Sequence, residues 1–218
     1  MNTPFIKNHQ FNFIKQQVKN LQSTLMTVSD PKVIEGARFG AEAKIFEQFL
    51  AITNEQKQLF APLLTLKKPE EFQEFVTSLT PYLSSFPKVT EKQIQKLFPK
   101  NKKLKTPNLD ALNYTALTYI GWIDIATNKM FFVYEQNNQI VGIEGRFTAT
   151  NKKNVCSLCN GVAEVALFSA ITKTKNAKYA DYYKAVGNYM CIDSAACNAK
   201  IKDLTYLESF IASVLENA

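Results

Sequence analysis

Apolar residues recur at intervals of three and four through the first third of the chain. Phe11, Ile14, Val18, Leu21, Leu25 and Val28 fall on one stripe of a helix of about twenty residues. Ser29-Asp30-Pro31 supplies a cap and a first-turn proline for a second helix, whose stripe is Ile34, Ala37, Ala41, Ile45, Phe49 and Ile52. Thr53-Asn54 can cap a third helix bearing Leu59, Phe60, Leu63 and Leu64, and Pro69-Glu70-Glu71 opens a fourth bearing Phe72, Phe75, Val76 and Leu79. Four such segments on short connections predict an up-and-down helical bundle over residues 1–86.

Thr90-Glu91-Lys92-Gln93 has the form of a capping box, which predicts a short helix through Ile94 and Leu97 that stops before Pro99. From Leu117 the texture changes. Tyr119–Ile123, Met130–Tyr134 and Ile140–Ile143 are short aromatic or β-branched runs separated by Asn128 and by Asn137-Asn138, the pattern of an antiparallel meander. Val162–Ile171 reads as a further strand, and Leu204, Leu207, Ile211 and Val214 mark a closing helix. Trp122, in the strongest strand, is expected to be scaffold. The reading is α+β: a helical bundle followed by an α/β domain with an antiparallel sheet over residues 87–218.

Composition narrows the chemistry. His9 is the only imidazole, which removes Ser-His-Asp, Cys-His and multi-histidine metal mechanisms, and its place at the start of an amphipathic helix makes it a packed or solvent-facing residue. No glycine-rich nucleotide loop is present, so an enzyme is not expected. No run approaches the roughly 18 apolar residues of a membrane span, and the first residues lack the apolar stretch of a signal peptide, so a cytoplasmic protein with no membrane partner, and a monomer, is expected. The net charge of +7 is localised: Lys88, Lys92, Lys96, Lys100, Lys102, Lys103 and Lys105 face Glu91 alone, while the flanking segments are near balance. Such a run is either a solvated helix face and linker or a surface for an acidic partner, nucleic acid included.

All four cysteines lie in the last third, as Cys156-Ser157-Leu158-Cys159 and Cys191 with Cys197. Two close pairs of thiols suit one tetrahedral zinc ion, with a redox dithiol and unligated core cysteines as the other readings. Asn160-Gly161 provides residues tolerant of positive φ for the knuckle after the first pair, and Ser194 is placed to cap a short helix delivering Cys197. Knuckle, intervening strands and helix-borne ligand make a treble-clef zinc finger over residues 156–197, with a saturated metal that holds the fold and performs no chemistry.

His9-Gln10-Phe11-Asn12-Phe13-Ile14-Lys15, Gly121-Trp122-Ile123-Asp124-Ile125-Ala126-Thr127-Asn128, Gly187-Asn188-Tyr189-Met190-Cys191 and Asp193-Ser194 before Cys197-Asn198, together with the cysteine pattern, resemble the elongation factor G-binding proteins of the FusB-type fusidic acid resistance family. The resemblance runs nearly end to end. It implies a helical bundle joined to an α/β domain with a treble-clef finger, and a non-enzymatic activity: binding elongation factor G and releasing it from ribosomes on which fusidic acid has trapped it. Some members are labelled fibronectin-binding, an activity that would require export. Carried over by position, the resemblance makes Tyr189 and Phe210 aromatic anchors for the factor, with core packing the other reading of each. Resistance-conferring members carry a lysine three residues before that tyrosine and an aromatic before the first cysteine; here those places hold Val186 and Val155, and Lys184, or Lys173, Lys175 and Lys178, would supply the charge. The alternative function is a zinc-dependent module that binds ribosomal or transfer RNA through residues 88–105.

Overall fold

The computed structural model describes residues 3–172 and 184–215. The chain divides into two compact units, Met1–Ser84 and Ser85–Ala218.

The first unit is helical. Helices α1 (Asn8–Thr27) and α2 (Pro31–Phe46) pack together, followed by α3 (Asn54–Gln58), a 3-10 turn over Ala61–Leu64, and α4 (Pro69–Ser78). Ile14, Val18 and Leu21 of α1 meet Ala41 and Ile45 of α2, Phe60 and Leu63, and Phe72 and Phe75 of α4 in one buried core. Asp30 caps α2 by accepting from the Lys32 amide at 2.8 Å, with Pro31 in the first helical position. The third element departs from the expected full helix. Pro62 lacks an N–H and its ring opposes the carbonyl four residues back, so the helix stops at Gln58 and the chain tightens into a 3-10 turn. Arg38 of α2 then donates to the carbonyls of Leu63 (3.0 Å) and Leu66 (2.6 Å), satisfying groups that a continuing helix would have used. Helix α2 also ends earlier than its stripe predicted, and Phe49 and Ile52 reach the core from irregular chain beyond it.

Gly36 of α2 is exposed, and a Cβ built there meets nothing within 4 Å. Gly36→Ala is therefore expected to stabilise this unit by about 1 kcal/mol through backbone entropy alone. Chemical denaturation of the two proteins checks it, and an unchanged or lower midpoint refutes it.

The second unit is a five-stranded antiparallel meander in the order β1-β2-β3-β4-β5: β1 (Ile120–Asp124), β2 (Lys129–Gln136), β3 (Gln139–Val155), β4 (Val162–Ile171) and β5 (Ala185–Cys191). Asn128 (φ 51°), Asn137 (φ 50°) and Asn138 (φ 60°) take the left-handed conformations that reverse the chain on either side of β2. The sheet is covered on both faces at β2, where alternation is strict. Phe131 and Val133 pack with Ile94 and Phe98 around α5 (Glu91–Leu97), while Met130, Phe132 and Tyr134 join the core that holds the cysteines and α7 (Thr205–Leu215). Trp122 stacks on Phe131 with centroids 5.0 Å apart and meets Phe98 edge-on at 5.9 Å.

Candidate zinc centre and the face beside it

The knuckle is built locally. Cys156 follows β3 directly, the Asn160 amide donates to the Cys156 carbonyl at 2.8 Å, and Asn160 adopts φ 54°, which turns the chain back so that the Cys156 amide donates to Gly161 O at 3.0 Å. Asn, with a short side chain, takes that left-handed position and leaves Gly161 in ordinary conformation. Cys191 ends β5, and Cys197 lies on α6 (Ser194–Asn198). The cap of α6 is Asp193, whose carboxylate accepts from the Ala196 amide at 3.0 Å, not Ser194 as its position suggested. The Ser194 hydroxyl is engaged elsewhere, donating to Gly121 O at 2.7 Å.

That bond is half of a staple. Four residues on, the Asn198 side chain accepts from the amides of Thr118 (2.7 Å) and Tyr119 (3.2 Å) and donates to Tyr119 O (3.0 Å) and Ser194 O (2.9 Å). Ser194 and Asn198 share one face of the helix by their i, i+4 spacing and fasten it along β1. The close approach explains Gly121: a Cβ there would lie 2.7 Å from the Tyr119 ring and 3.2 Å from Ser194 Cβ. Cys197 is thereby delivered to the other three cysteines by contacts with a strand more than seventy residues earlier.

The four sulfurs are buried and lie within 4.8 Å of one another, with Cys156 to Cys197 at 3.9 Å and Cys159 to Cys191 at 3.8 Å. A tetrahedral site with zinc–sulfur bonds of about 2.3 Å requires sulfurs about 3.8 Å apart. A disulfide requires about 2 Å, and none of the four is bonded to another. Hydrogen bonds from the Cys159, Cys191 and Cys197 thiols hold Cys156 far below the usual thiol range, while the Cys156 sulfur pushes Cys191 and Cys197 upward. Four packed sulfurs deprotonate together only around a divalent cation. Two further donors face them: the Cys191 amide, 3.3 Å from Cys156 Sγ, and the buried Tyr119 hydroxyl, which is directed at the Cys197 sulfur. The site fits a single structural zinc, and four thiolates leave no position for a reacting water.

Beside the knuckle the sheet is left open by the described residues. Leu167 of β4 and Tyr189 of β5 are directly opposite each other and so share a face, 42% and 38% exposed, and Ile171 lies four residues along the same face. Val155, Val162 and Ile192 are exposed around the finger. Tyr189 is fixed from both sides. Its carbonyl accepts from the Ser157 amide of the knuckle at 2.9 Å, and at Gly187 a Cβ would lie 2.5 Å from Phe168 O, so only glycine lets β5 press against β4 there. Lys184 is exposed at the start of β5, its carbonyl accepting from the Thr172 amide at 2.8 Å. Lys173, Lys175 and Lys178 lie outside the described residues.

Phe210 is not on this face. It is 3% exposed, in the core, with its ring 5.8 Å from Phe168 and 6.1 Å from Tyr206. Its position one residue off the predicted stripe is accommodated because α7 buries a face wide enough for both Phe210 and Ile211. Leu167 and Ile171, in contrast, escaped sequence reasoning because only the register of β4 against β5 shows which of the strand's many apolar residues point outward.

A helical domain followed by a treble-clef domain whose four cysteines suit one structural zinc, with apolar side chains exposed on the sheet beside it, defines a two-domain zinc-finger protein. Residues 95–211 match the family described as the FBP C-terminal treble-clef zinc-finger, and residues 5–87 match that described as elongation factor G-binding protein, N-terminal. The chain belongs to the elongation factor G-binding protein family. Among solved structures, that of the fusidic acid resistance protein FusC is similar, with 25% identity, 98% of each chain covered and a TM-score of 0.79. No curated protein matches. Among the described residues no helix is long and apolar enough to cross a membrane.

Proposed function

We propose that this chain binds elongation factor G through the face formed by β4, β5 and the zinc knuckle, and that binding releases the factor from ribosomes on which fusidic acid has trapped it. The observation that carries the reading is the exposed Leu167–Tyr189 pair, locked to the knuckle through the Ser157–Tyr189 hydrogen bond, in a chain of this family. Apolar side chains displayed on a rigid sheet lose little entropy on binding, and tyrosine is enriched among interface anchors. Lys184 at the edge of the face supplies charge, and Cys156, Cys159, Cys191 and Cys197 hold the ion that keeps the face rigid. Phe210 supports the face from beneath through Phe168, the neighbour of Leu167 on β4.

Release without drug chemistry requires differential affinity. The protein must bind the factor more tightly in the conformation that leaves the ribosome than in the trapped one, or engage it during a transient opening, and by linkage the ribosome and this protein then weaken each other's hold on the factor.

Tyr189→Ala is expected to weaken binding to purified elongation factor G by more than about 1 kcal/mol, roughly fivefold, with zinc content unchanged. Titration calorimetry measures the affinity, and factor release from drug-stalled ribosomes measures the consequence. A variant that retains its zinc and binds at wild-type affinity refutes the assignment of this face.

A further inference from the structure

The lysines of residues 88–105 are held on an ordered lobe. Helix α5 is capped reciprocally, the Thr90 amide donating to Gln93 Oε1 at 2.8 Å and the Gln93 amide to Thr90 Oγ1 at 3.2 Å, and it buries Ile94 with Phe98 under the sheet. Two successive turns follow, the Asn101 amide donating to Phe98 O (3.0 Å) and the Leu104 amide to Asn101 O (3.1 Å), with Leu104 packed on the same core. The Asn101 side chain bonds Glu144 of β3 and accepts from Lys129 of β2 at 2.7 Å, and Lys129 and Glu144 pair at 2.9 Å. The lobe closes where the Thr106 hydroxyl donates to Glu91 at 3.3 Å.

The charges on that lobe are uncompensated. All seven lysines are exposed, none is paired with a carboxylate among the described residues, and the two acids that bond to residues of the lobe are Glu91, with Thr106, and Glu144, with Lys129 and Asn101. The apolar residues of the lobe are turned inward: Phe98 is buried, and Leu97 and Leu104 are half-buried in the core. An acidic protein face needs apolar anchors between its charges, and single-stranded nucleic acid needs exposed rings for base stacking. This surface offers neither. What it offers is a run of exposed lysines carried on an ordered backbone, which suits the phosphates of a double-helical RNA backbone.

We propose that residues 88–105 form a second contact surface, for RNA phosphates, separate from the Tyr189 face. Its chemistry is independent of the factor-binding reading. Joined to that reading, it deepens it: a factor trapped on a ribosome is surrounded by RNA, and a lysine lobe would raise the rate at which the protein finds it, in a salt-dependent way.

The test uses the full chain and a fluorescent RNA hairpin with a stem of about two helical turns, with anisotropy read across a salt series. Lys100, Lys102, Lys103 and Lys105 are replaced together by glutamine, and Lys152→Gln with Lys153→Gln, exposed on β3, serves as the control pair. For each phosphate that a lysine no longer neutralises, the slope of log affinity against log salt falls by about 0.7–0.9. The fourfold variant is expected to bind the hairpin at least tenfold more weakly at low salt with a slope smaller by about 3, while its affinity for purified elongation factor G is unchanged. The control pair is expected to shift both quantities far less. Wild-type protein that does not bind the hairpin overturns the proposal, as does a fourfold variant with an unchanged slope. Loss of factor affinity in the fourfold variant with hairpin binding intact would make the lobe a protein surface, which also overturns it. The hairpin measurement contains no factor, so failure of the factor-binding reading leaves this outcome distinct.

Discussion

Stripping the zinc with a strong chelator at neutral pH is expected to unfold the treble-clef unit while the helical unit keeps its far-ultraviolet signal. The four sulfurs sit in the same buried core as Phe132, Phe168, Ile201, Phe210 and Ile211, so without the ion that core must hold either thiolates with no counter-charge or protonated thiols crowded at 3.8–3.9 Å. Structural zinc sites contribute on the order of 10 kcal/mol, comparable with the roughly 5–15 kcal/mol that hold an ordinary domain together. Trp122, the single tryptophan, lies in this unit and stacked on Phe131, so its emission reports the loss directly. Acid should do what the chelator does. Metal binding holds the pKa values of the ligating thiols below the ordinary thiol value, so their stabilisation is complete above that value and is lost as pH falls through the lowered one. Unchanged tryptophan emission and an unchanged melt, with the metal measured as gone, would show that the ion is not a staple.

The second large effect is expected from Asn198→Ala. Asn198 is 1% exposed and its amide is the acceptor for two backbone N–H groups at the start of β1 and a donor to two carbonyls. Alanine removes the acceptor for Thr118 and Tyr119 at a place water does not reach. Each buried group deprived of its partner costs about 1–3 kcal/mol, so a loss of about 3 kcal/mol and a fall in melting temperature of about 10 °C are expected. The same change loosens the seat of α6 and should weaken zinc binding through Cys197, the residue before it. A variant melting within a degree or two of wild type, with zinc affinity intact, would show that the staple is not what positions the fourth cysteine. Asn198→Asp distinguishes the parts of the effect, since it keeps the acceptor but removes both donors and buries a charge.

Much of this molecule is written in local rules. The stripes over α1 and α4, the cap of α3, the capping box of α5, the asparagine turns and the C-x-x-C knuckle depend on spacings of four residues or fewer, and each appears where its pattern places it. The third helix is the local exception, because one proline inside an apolar stripe outweighs the stripe. Two strands illustrate the opposite case. The β3 strand runs from Gln139 to Val155, although beyond Ile143 its residues are mostly polar, and β5 contains Gly187 and Asn188, both poor strand formers. Both are strands because β4 offers each a ladder of partners from elsewhere in the chain, unbroken along β5 and interrupted along β3 only by an irregularity between Ala149 and Lys153.

The sequence by itself determined the class of the fold, the starts of α2, α3, α4 and α5 and the identity of the zinc ligands, because periodicity, caps and thiol pairing act over short range or through residue chemistry that few other functions share. The family resemblance, carried over by position, marked Tyr189 and Phe210 alike. Only the tertiary structure decided which aromatic residue faces solvent. Tyr189 is exposed because it lies opposite Leu167 on a part of the sheet that the described residues leave open, and Phe210 is buried because α7 lays it against Phe168. Likewise, only the folded chain made Ser194 and Asn198 the staple that holds Cys197, since their partners are Gly121, Thr118 and Tyr119, far away in sequence. Burial and long-range hydrogen bonding are properties of which segments meet, and no local pattern contains that information.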